Sequence, residues 1–536
     1  MKGKIKDVVG ETFWYLLIAY TLFVILIALG FLGRYALQFH MLAVVVALFG
    51  IVIIGKVNEG NNGREKRGMN KWLYYGLFAL GIIVIIALRV VPYIRNSIPL
   101  GYDAGIYKYG IEGGLKNMDN WILSGGMEPG FLYLMEIFKL VFSVDTILVW
   151  VFIAFCVLLG IVIYVFTREL GGKRAGLIAL IIYAVSVVQF KVFGFMYYKN
   201  IVALCIMLFS LFFLLRYEKS EKKSDLSIFV VLGGLVGAIH RPTFYIFGLS
   251  YFVYAFIRPY EKGNYDYRKL LINVLSGVVI LVIALSFYVG SFMPAITSVL
   301  PGVAQAFVSP GESPGTFISF FEYQFSVLAY LPFALLGLFH FLKKKDFNIV
   351  VLWVLISGAI VYFQFFFFNR FIIHLDVALI VLAGIGFDSL IKNKRKLGIL
   401  VLSLLLISAV IISSYEAQTS KPLISKYSLD MIKEIRGNIE VNASVLVISR
   451  EYSPWVMGYS GLHGENVIAP GLFDTNKWNE ADWQKFWNLS GKEETKKMLS
   501  VYDKPLYLFG GTKSFKNECF EVFLESKGNK LYKYTC

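Results

Sequence analysis

The sequence predicts an all-α polytopic membrane protein of about 13 transmembrane helices that ends in a small α/β domain outside the membrane. Three observations predict this class. Hydrophobic residues make up 57% of the chain and the mean hydropathy is +0.66, which is too apolar for a soluble domain. Basic residues cluster in short segments between apolar runs. From Tyr415 onward the composition becomes that of an aqueous domain.

The transmembrane helices are predicted from apolar runs that approach the roughly 20 residues a bilayer requires. Two of these runs are short and are separated only by Arg241 and Pro242, so they are predicted as a helical pair. The predicted spans are 13–33, 39–55, 72–94, 145–167, 175–193, 200–216, 226–240, 243–257, 270–290, 323–342, 347–367, 371–391 and 397–414.

The net charge of +16 reflects where the cations lie along the chain. Half of the 52 Lys and Arg fall in short polar segments, all on one side of the membrane if the N-terminus is cytoplasmic. An excess of Lys and Arg on the cytoplasmic side is a topology signal, so nucleic acid is not an expected partner. The basic start of the chain lacks a small-residue cleavage motif, which predicts a retained first span. This topology gives a membrane domain over 1–414 and an extracytoplasmic domain over 415–536.

Two outward segments are too long to be simple turns. Segment 95–144 carries Asp103 and Glu128, and its part 131–142 has apolar residues at helical spacing. That spacing predicts an amphipathic helix on the membrane surface. Segment 291–322 is rich in Pro and Gly, which predicts a mobile loop over the outer face of the kind that serves as a lid or binding loop.

The domain from 415 is predicted as α/β because buried strands at 444–449 and 505–509 alternate with helices at 429–436 and 483–499. An outside location permits a disulfide between Cys519 and Cys536 without requiring one. Five aromatic residues either stack on sugars or form the core, and the core is the more common outcome. They are Trp455, Tyr459, Trp478, Trp483 and Trp487.

Asp103 is the candidate catalytic base, because a carboxylate at a partly desolvated surface has a pKa that the surroundings can tune. Glu128 is the second candidate catalytic residue of the same segment. Both have a structural alternative. Asp103 could cap a turn, and Glu128 could cap the helix that Pro129 begins.

Cations predicted at the same outer depth are candidates for binding a phosphate. Membrane-embedded cations usually face a cavity or a substrate route, and Arg pairs well with phosphate. The alternatives are contact with lipid headgroups and, for a lone His, an internally satisfied polar group. The four candidates are Lys199, His240, Arg241 and Arg370. Asp376 and His374 lie within the span that follows Arg370, where either a structural or a functional role stays open.

No other chemistry is indicated. The sequence lacks a phosphate-binding loop of the nucleotide-binding type and lacks Cys or His clusters at metal-ligand spacing. A metal site is therefore not predicted, and no cofactor is identified from the sequence. A divalent cation is compatible with Asp103 but not implied by it.

At these residues the chain resembles the GT-C superfamily of integral-membrane glycosyltransferases, which use polyprenyl-phosphate-linked sugars. Asp103 matches the acidic residue of the first large outer loop. Residues 197–200, Tyr-Tyr-Lys-Asn, look like the mid-chain segment, and the Gly-rich run 233–243 is similar to a span that closes in a His-Pro-type hinge. Residues 369–371, Asn-Arg-Phe, look like the Arg-containing late segment.

The resemblance implies an inverting transferase, similar to the protein mannosyltransferases, with a polyprenyl- or dolichyl-phosphate sugar as donor. The acceptor would be a glycan, a lipid or a protein at the outer membrane face. Asp103 would act as base or acceptor-positioning group, and the four cations would hold the lipid phosphate. Two departures are visible. No Asp-Glu pair follows Gly101 and Tyr102, and the Trp-Trp-Asp signature of oligosaccharyltransferases is absent.

Two other functions stay open. Glu128-Pro129-Gly130-Phe131 is similar to a pattern in membrane polysaccharide polymerases. A flippase or transporter for a lipid-linked sugar would use the same cations without a base. Transporters tend to carry mid-membrane charges, broken helices and internal repeats, whereas this sequence shows no repeat and its charges crowd one surface.

Overall fold

The structure is a computed structural model that describes residues 15–22, 24–26, 70–94, 96–114, 127–261, 264–288, 316–365, 368–393, 395–470, 477–502 and 505–536. The predicted span at 39–55 lies outside the described residues, as do most of segment 291–322 and parts of the span at 13–33.

The helices between Lys71 and Thr419 follow one another along the chain with few strands between them. They are α1 Lys71–Val90, α2 Ala104–Gly113, α3 Pro129–Lys139, α4 Val144–Gly171, α5 Lys173–Ala184, α6 Val187–Gly194, α7 Tyr198–Ser220, α8 Lys223–Ile239, α9 Arg241–Ile257, α10 Tyr267–Ser286, α11 Phe320–Ser326, α12 Leu331–Lys343, α13 Ile349–Tyr362, α14 Phe368–Asn393 and α15 Arg395–Thr419. A two-residue hairpin, β1 Tyr260–Glu261 and β2 Asn264–Tyr265, precedes α10.

The predicted class is confirmed, but the predicted number of spans is not. Among the described residues, 6 helices are long and apolar enough to cross a membrane, or 8 if each of two bent pairs is one span. The protein is thus a multi-pass membrane protein. The predicted span 347–367 contains a helix of only 14 residues, α13.

Two predicted straight spans are broken in the structure. The span 175–193 is the pair α5 and α6, bent by 51°. It breaks at Ser186, whose hydroxyl accepts the Gln189 N–H at 3.2 Å and so starts the second helix. The span 323–342 is the pair α11 and α12, bent by 81°. Pro332 stands in the first turn of α12, where its missing N–H is tolerated, and it prevents one helix from running through both parts.

The chain packs into two compact units. The bundle unit comprises the chain up to Arg95, Phe152–Phe193 and Tyr197–Ser420. The sheet unit comprises Asn96–Val151, Gly194–Met196 and Lys421–Cys536. The centre of the bundle unit is α14, because the residues of its most apolar stretch are all buried among the neighbouring helices.

The sheet unit is built around a mixed five-stranded sheet of order β4-β3-β5-β7-β6. β3 pairs in parallel with β4 and β5, and β7 pairs antiparallel with β5 and β6. The strands are β3 Ser444–Val447, β4 Val467–Ile468, β5 Leu506–Gly511, β6 Phe520–Ser526 and β7 Asn529–Tyr534. The helices are α16 Lys426–Asn438, α17 Ser453–Tyr459, α18 Glu480–Asn488 and α19 Lys492–Leu499.

Most predictions for the C-terminal domain are confirmed. The strands predicted at 444–449 and 505–509 correspond to β3 and β5, and Cys519 forms a disulfide with Cys536. The helix predicted over 483–499 is wrong as a single element, because it is divided into α18 and α19. Of the five aromatic residues, all but one are buried core residues. Trp487 is the exception, with 38% of its surface exposed.

Candidate active site

The two candidate acidic residues each stand immediately before a helix of the sheet unit. Asp103 occupies the N-cap position of α2, and Glu128 occupies that of α3. Neither carboxylate makes the side-chain hydrogen bond of a helix cap. Neither side chain is therefore held by a hydrogen bond to the first turn of the helix that follows it.

Helices α2 and α3 run in the same direction with their starts together. One turn inside α2 the ring of Tyr107 lies 5.6 Å from that of Phe131, in the first turn of α3. At the other end, Lys139 Nζ donates to the Ile111 carbonyl at 2.8 Å. Asp103 and Glu128 consequently lie at the same end of the helix pair, which we call the acidic end. Glu128 is only 3% exposed, whereas Asp103 is partly accessible.

Glycines fix the acidic end to the rest of the sheet unit. A Cβ on Gly101 would lie 2.4 Å from the carbonyl of Phe195, so the loop that carries Asp103 is held against the 194–196 segment by direct backbone contact. A Cβ on Gly105 would lie 1.9 Å from the carbonyl oxygen of Pro454. Helix α17 of the C-terminal domain thus rests directly on the first turn of α2.

The charged residues near the acidic end come from the segment 96–151 and from the C-terminal domain. Burial raises the pKa of Tyr102 to about 12, the negative charge of Asp103 adds to this rise, and the positive charge of Arg450 opposes it. Arg450 precedes α17 by three residues and is exposed. The C-terminal domain therefore brings a cation close to Tyr102, the residue before Asp103.

Farther along α2, Lys108 holds the helix in place. Its ammonium pairs with Glu112 at 2.8 Å and Asp145 at 3.0 Å, and it lies 5.2 Å from the ring centroid of Tyr459 in α17. Burial acts to lower the pKa of Lys108, but the two carboxylates outweigh it and raise that pKa. This network orders the helix that Asp103 begins without using Asp103.

The four candidate cations all lie in the bundle unit, and three of them stand in the first turn of a helix. Lys199 is the second residue of α7, Arg241 the first of α9 and Arg370 the third of α14. The start of a helix carries a positive partial charge and exposed backbone N–H groups, so a cation in the first turn adds to the positive potential there. Helix starts of this kind are able to bind anions.

His240 has a different role from the other three. It caps α9, with the Thr243 N–H donating to its Nδ1 at 3.3 Å. Thr243 Oγ1 lies 2.8 Å from the same nitrogen and 2.9 Å from Nε2 of His374. Because Nδ1 accepts the backbone N–H, the neutral ring of His240 carries its proton on Nε2. The structure thus shows His240 as a satisfied cap that is also linked to α14.

Contacts within the bundle unit bring the neighbourhoods of these cations together. The hydrogen bonds from His240 through Thr243 reach His374, which lies one turn beyond Arg370 on α14. Thr316 Oγ1 accepts from the Asn369 side chain at 2.8 Å, immediately before Arg370. The next residue, Phe317, lies 5.3 Å from the ring of Tyr197, two residues before Lys199. The starts of α7, α9 and α14 are therefore joined by short chains of contacts.

No group of three His, Cys, Asp or Glu able to hold a metal ion occurs in the described part of the chain. Sequence reasoning did not find two features of the site. It missed Arg450, because nothing in the local sequence pairs it with Asp103. It also missed the hydrogen-bond partners of Asp376, because they come from helices distant along the chain.

The family model described as dolichyl-phosphate-mannose-protein mannosyltransferase matches residues 127–288. This stretch includes Glu128, Lys199, His240 and Arg241. A search of curated protein sequences gave no match.

Solved structures match most of the chain. The archaeal oligosaccharyltransferase AglB from Archaeoglobus fulgidus, in complex with an inhibitory peptide and a dolichol-phosphate, is 14% identical with a TM-score of 0.61 over 82% of this chain and 70% of its own. ArnT from Cupriavidus metallidurans, bound to undecaprenyl phosphate, is 11% identical with a TM-score of 0.56 over 87% and 98%. The chain has the GT-C fold.

Proposed function

We propose that this protein is a membrane glycosyltransferase that moves a sugar from a polyprenyl- or dolichyl-phosphate donor to a glycan, lipid or protein acceptor. The observation that carries the proposal is the placement of Lys199, Arg241 and Arg370 in the first turns of three helices. A cation in the first turn adds its charge to the positive end of the helix dipole, and both attract a phosphate. The GT-C fold and the family match in the middle of the chain support this assignment.

In the proposed reaction, Asp103 takes the proton of the acceptor hydroxyl. The acceptor oxygen then attacks the anomeric carbon of the donor sugar from the face opposite the phosphate. The bond between that carbon and the phosphate oxygen breaks, the lipid phosphate leaves with the bonding electrons, and the anomeric configuration is inverted. Lys199, Arg241 and Arg370 stabilise the charge on the leaving phosphate, and His240 donates from Nε2.

Glu128 is proposed as the second acidic residue of the site. Its carboxylate is 3% exposed at the end of the helix pair that also bears Asp103. Asp103 is the more accessible of the two and is therefore assigned to the acceptor. Glu128 would orient the acceptor or Asp103 from the buried side.

The proposed orientation places the N-terminus in the cytoplasm and the domain over 415–536 outside. The side on which basic segments cluster supports this orientation. The reaction would then occur at the outer membrane face, where the lipid-linked donor is available. The missing Trp-Trp-Asp sequence argues against transfer of a whole oligosaccharide to asparagine, despite the similarity of the fold to AglB.

A flippase or transporter for a lipid-linked sugar is the second candidate, and one structural observation favours it. The pairs α5–α6 and α11–α12 are broken helices, and Asp376 is a carboxylate buried within the bundle unit. Broken helices and mid-membrane charges are typical of transporters. A transporter of this kind would not need the carboxylates of the acidic end for catalysis. The polysaccharide polymerase rests on the Glu-Pro-Gly sequence at 128–130 alone.

The experiment compares wild type, Asp103→Asn and Glu112→Gln in lipid vesicles with a panel of polyprenyl-phosphate sugars and acceptors. Glu112 is the matched control, because it is a carboxylate at the opposite end of the same helix and pairs with Lys108. Loss of a general base is expected to lower turnover by about 10²–10⁴-fold. Donor binding should persist in Asp103→Asn, and Glu112→Gln should retain turnover.

Two results would contradict the proposal in different ways. Equal turnover by wild type and Asp103→Asn would keep the enzyme and remove Asp103 as the base. If no donor is consumed but a labelled lipid-linked sugar crosses the bilayer, the transporter is the correct function.

A further inference from the structure

A single buried carboxylate connects both broken helices of the bundle unit. Asp376 on α14 is 0% exposed. It accepts hydrogen bonds from the Gln189 side chain at 2.7 Å and from Ser186 Oγ at 3.2 Å. The hydroxyl of Tyr330 donates to its other oxygen. No ion pair with Asp376 occurs in the part of the chain that the structure describes.

These three partners lie at the breaks and not elsewhere on the helices. Ser186 stands between α5 and α6, and Gln189 lies in the first turn of α6. Tyr330 stands between α11 and α12. A helix break inside a membrane protein leaves peptide groups that need new partners and a bend angle that needs to be fixed. At the first break, Ser413 Oγ of α15 also donates to the Val185 carbonyl at 2.7 Å.

The short helices of the two broken pairs, α6 and α11, are also joined to each other directly. Lys191 of α6 pairs with Glu322 of α11, and it lies 3.7 Å from Glu416 of α15. Helices α6 and α11 are therefore linked in two ways, through Asp376 at the breaks and through the ion pair of Lys191 with Glu322. Two separate contacts restrict the angle between α6 and α11 more than either contact alone.

Helices α6 and α11 and the residue Asp376, which together we call the frame, are connected to the candidate phosphate-binding cations. Helix α6 leads along the chain to Lys199, and Phe317, just before α11, packs on Tyr197. Arg370 lies six residues before Asp376 on α14. The carboxylate that fixes both breaks is thus carried by the same helix as Arg370. An ionisable residue buried among membrane helices is usually retained for function, because an apolar residue would pack there more favourably.

We propose that Asp376 is a positioning residue for donor binding, which ties the breaks at Ser186 and Tyr330 to α14 and so sets the position of Lys199 relative to Arg370. This inference rests on the proposed function, since it assigns the framed cations to the lipid phosphate of the donor. Asp376 itself does not touch the donor in this proposal.

The test removes single hydrogen bonds to Asp376, so that the helix bundle itself is preserved. Tyr330→Phe removes the tie at the second break, Ser186→Ala removes one at the first, and Asp376→Asn weakens both. Ser357→Ala is the control, because Ser357 is a buried hydroxyl that bonds only within its own helix, to Trp353 O at 2.7 Å. Two measurements are made on each variant, one of structure and one of binding.

The structural measurement is the distance between spin labels on Phe321→Cys and Tyr267→Cys, read by pulsed electron resonance. Both positions are exposed, at 54% and 75%, and the free thiols of Cys156 and Cys205 are buried. Tyr330→Phe is expected to broaden the distance distribution, whereas Ser357→Ala keeps that of the wild type. Because this readout needs no substrate, it tests the tie independently of the proposed function.

The binding measurement is the Kd for undecaprenyl phosphate and for dolichyl phosphate in detergent. Loss of a buried hydrogen bond that positions the cations is expected to raise the Kd about tenfold in Tyr330→Phe, with no change in Ser357→Ala. Broadened distances with an unchanged Kd would overturn the positioning role. Unchanged distances would overturn the tie and leave the proposed function intact. Wild type that binds neither lipid would overturn the proposed function together with the donor role of this frame.

Discussion

The contact between Gly105 of α2 and helix α17 gives the sharpest structural prediction. A Cβ at position 105 would lie 1.9 Å from the carbonyl oxygen of Pro454, whereas real Cβ atoms do not approach closer than 3.0 Å. Because the obstacle is backbone, Gly105→Ala must separate the two helices by roughly 1 Å, an overpacking that destabilises by about 1–3 kcal/mol. Alanine regains about 0.5–1 kcal/mol of helix propensity, which does not offset the clash.

The expected net loss is about 0–2.5 kcal/mol with a midpoint of about 1 kcal/mol, and that midpoint lowers the melting temperature of a domain of this size by about 2–4 °C. Melting is followed by tryptophan fluorescence, and hydrogen exchange reports the loss of protection at 104–113 and 453–459. Gly437→Ala is the matched control, because nothing lies within 4 Å of its added Cβ near the end of α16. If Gly105→Ala melts at the temperature of Gly437→Ala, the direct contact between α2 and α17 is refuted.

Three further predictions concern the stability of the sheet unit. A hydrogen bond from Tyr507 lowers the pKa of Glu440 from 4.5 to about 2, so its contribution is present above pH 4.5 and is lost as the pH falls toward 2; Glu440→Gln should flatten this part of the hydrogen-exchange pH profile. Reduction of the Cys519 disulfide, which closes 17 residues, should destabilise by about 3 kcal/mol, while Cys519→Ser should melt identically with or without reductant. Trp483→Ala should cost about 3–5 kcal/mol, since Trp483 is 2% exposed, and Trp487→Ala far less; similar melting of the two variants would contradict the assignment of Trp483 to the core.

The sequence determined the membrane class and much of the layout of the chain. Apolar runs and basic segments specify spans because the bilayer imposes a length and an environment on each segment locally. The same local logic located β3, β5 and the change of composition near Tyr415. Asp103 and Arg370 could be nominated as site residues because a charge beside an apolar run is visible in the sequence itself.

For the spans that were predicted as straight and are broken in the structure, the contacts that stabilise the break come from residues distant along the chain. The break at 185–186 looks like continuous apolar helix in sequence, and it is stabilised by Asp376 and Ser413, far along the chain. Two other features have local causes instead. The predicted helix 483–499 is divided where Gly491 takes the N-cap position of α19. The strands β6 and β7 form a hairpin, and its two turn residues, Lys527 and Gly528, both have positive φ.

The candidate site divides in the same way. The sequence by itself determined which residue types were available: two carboxylates in one outer segment and four cations beside spans. Only the tertiary structure decided that Asp103 and Glu128 share one end of a parallel helix pair, that neither caps its helix, and that His240 does cap one. The physical reason is that a helix crossing at Gly105 and a hydrogen bond to a buried carboxylate each depend on atoms from distant parts of the chain, which no local pattern specifies.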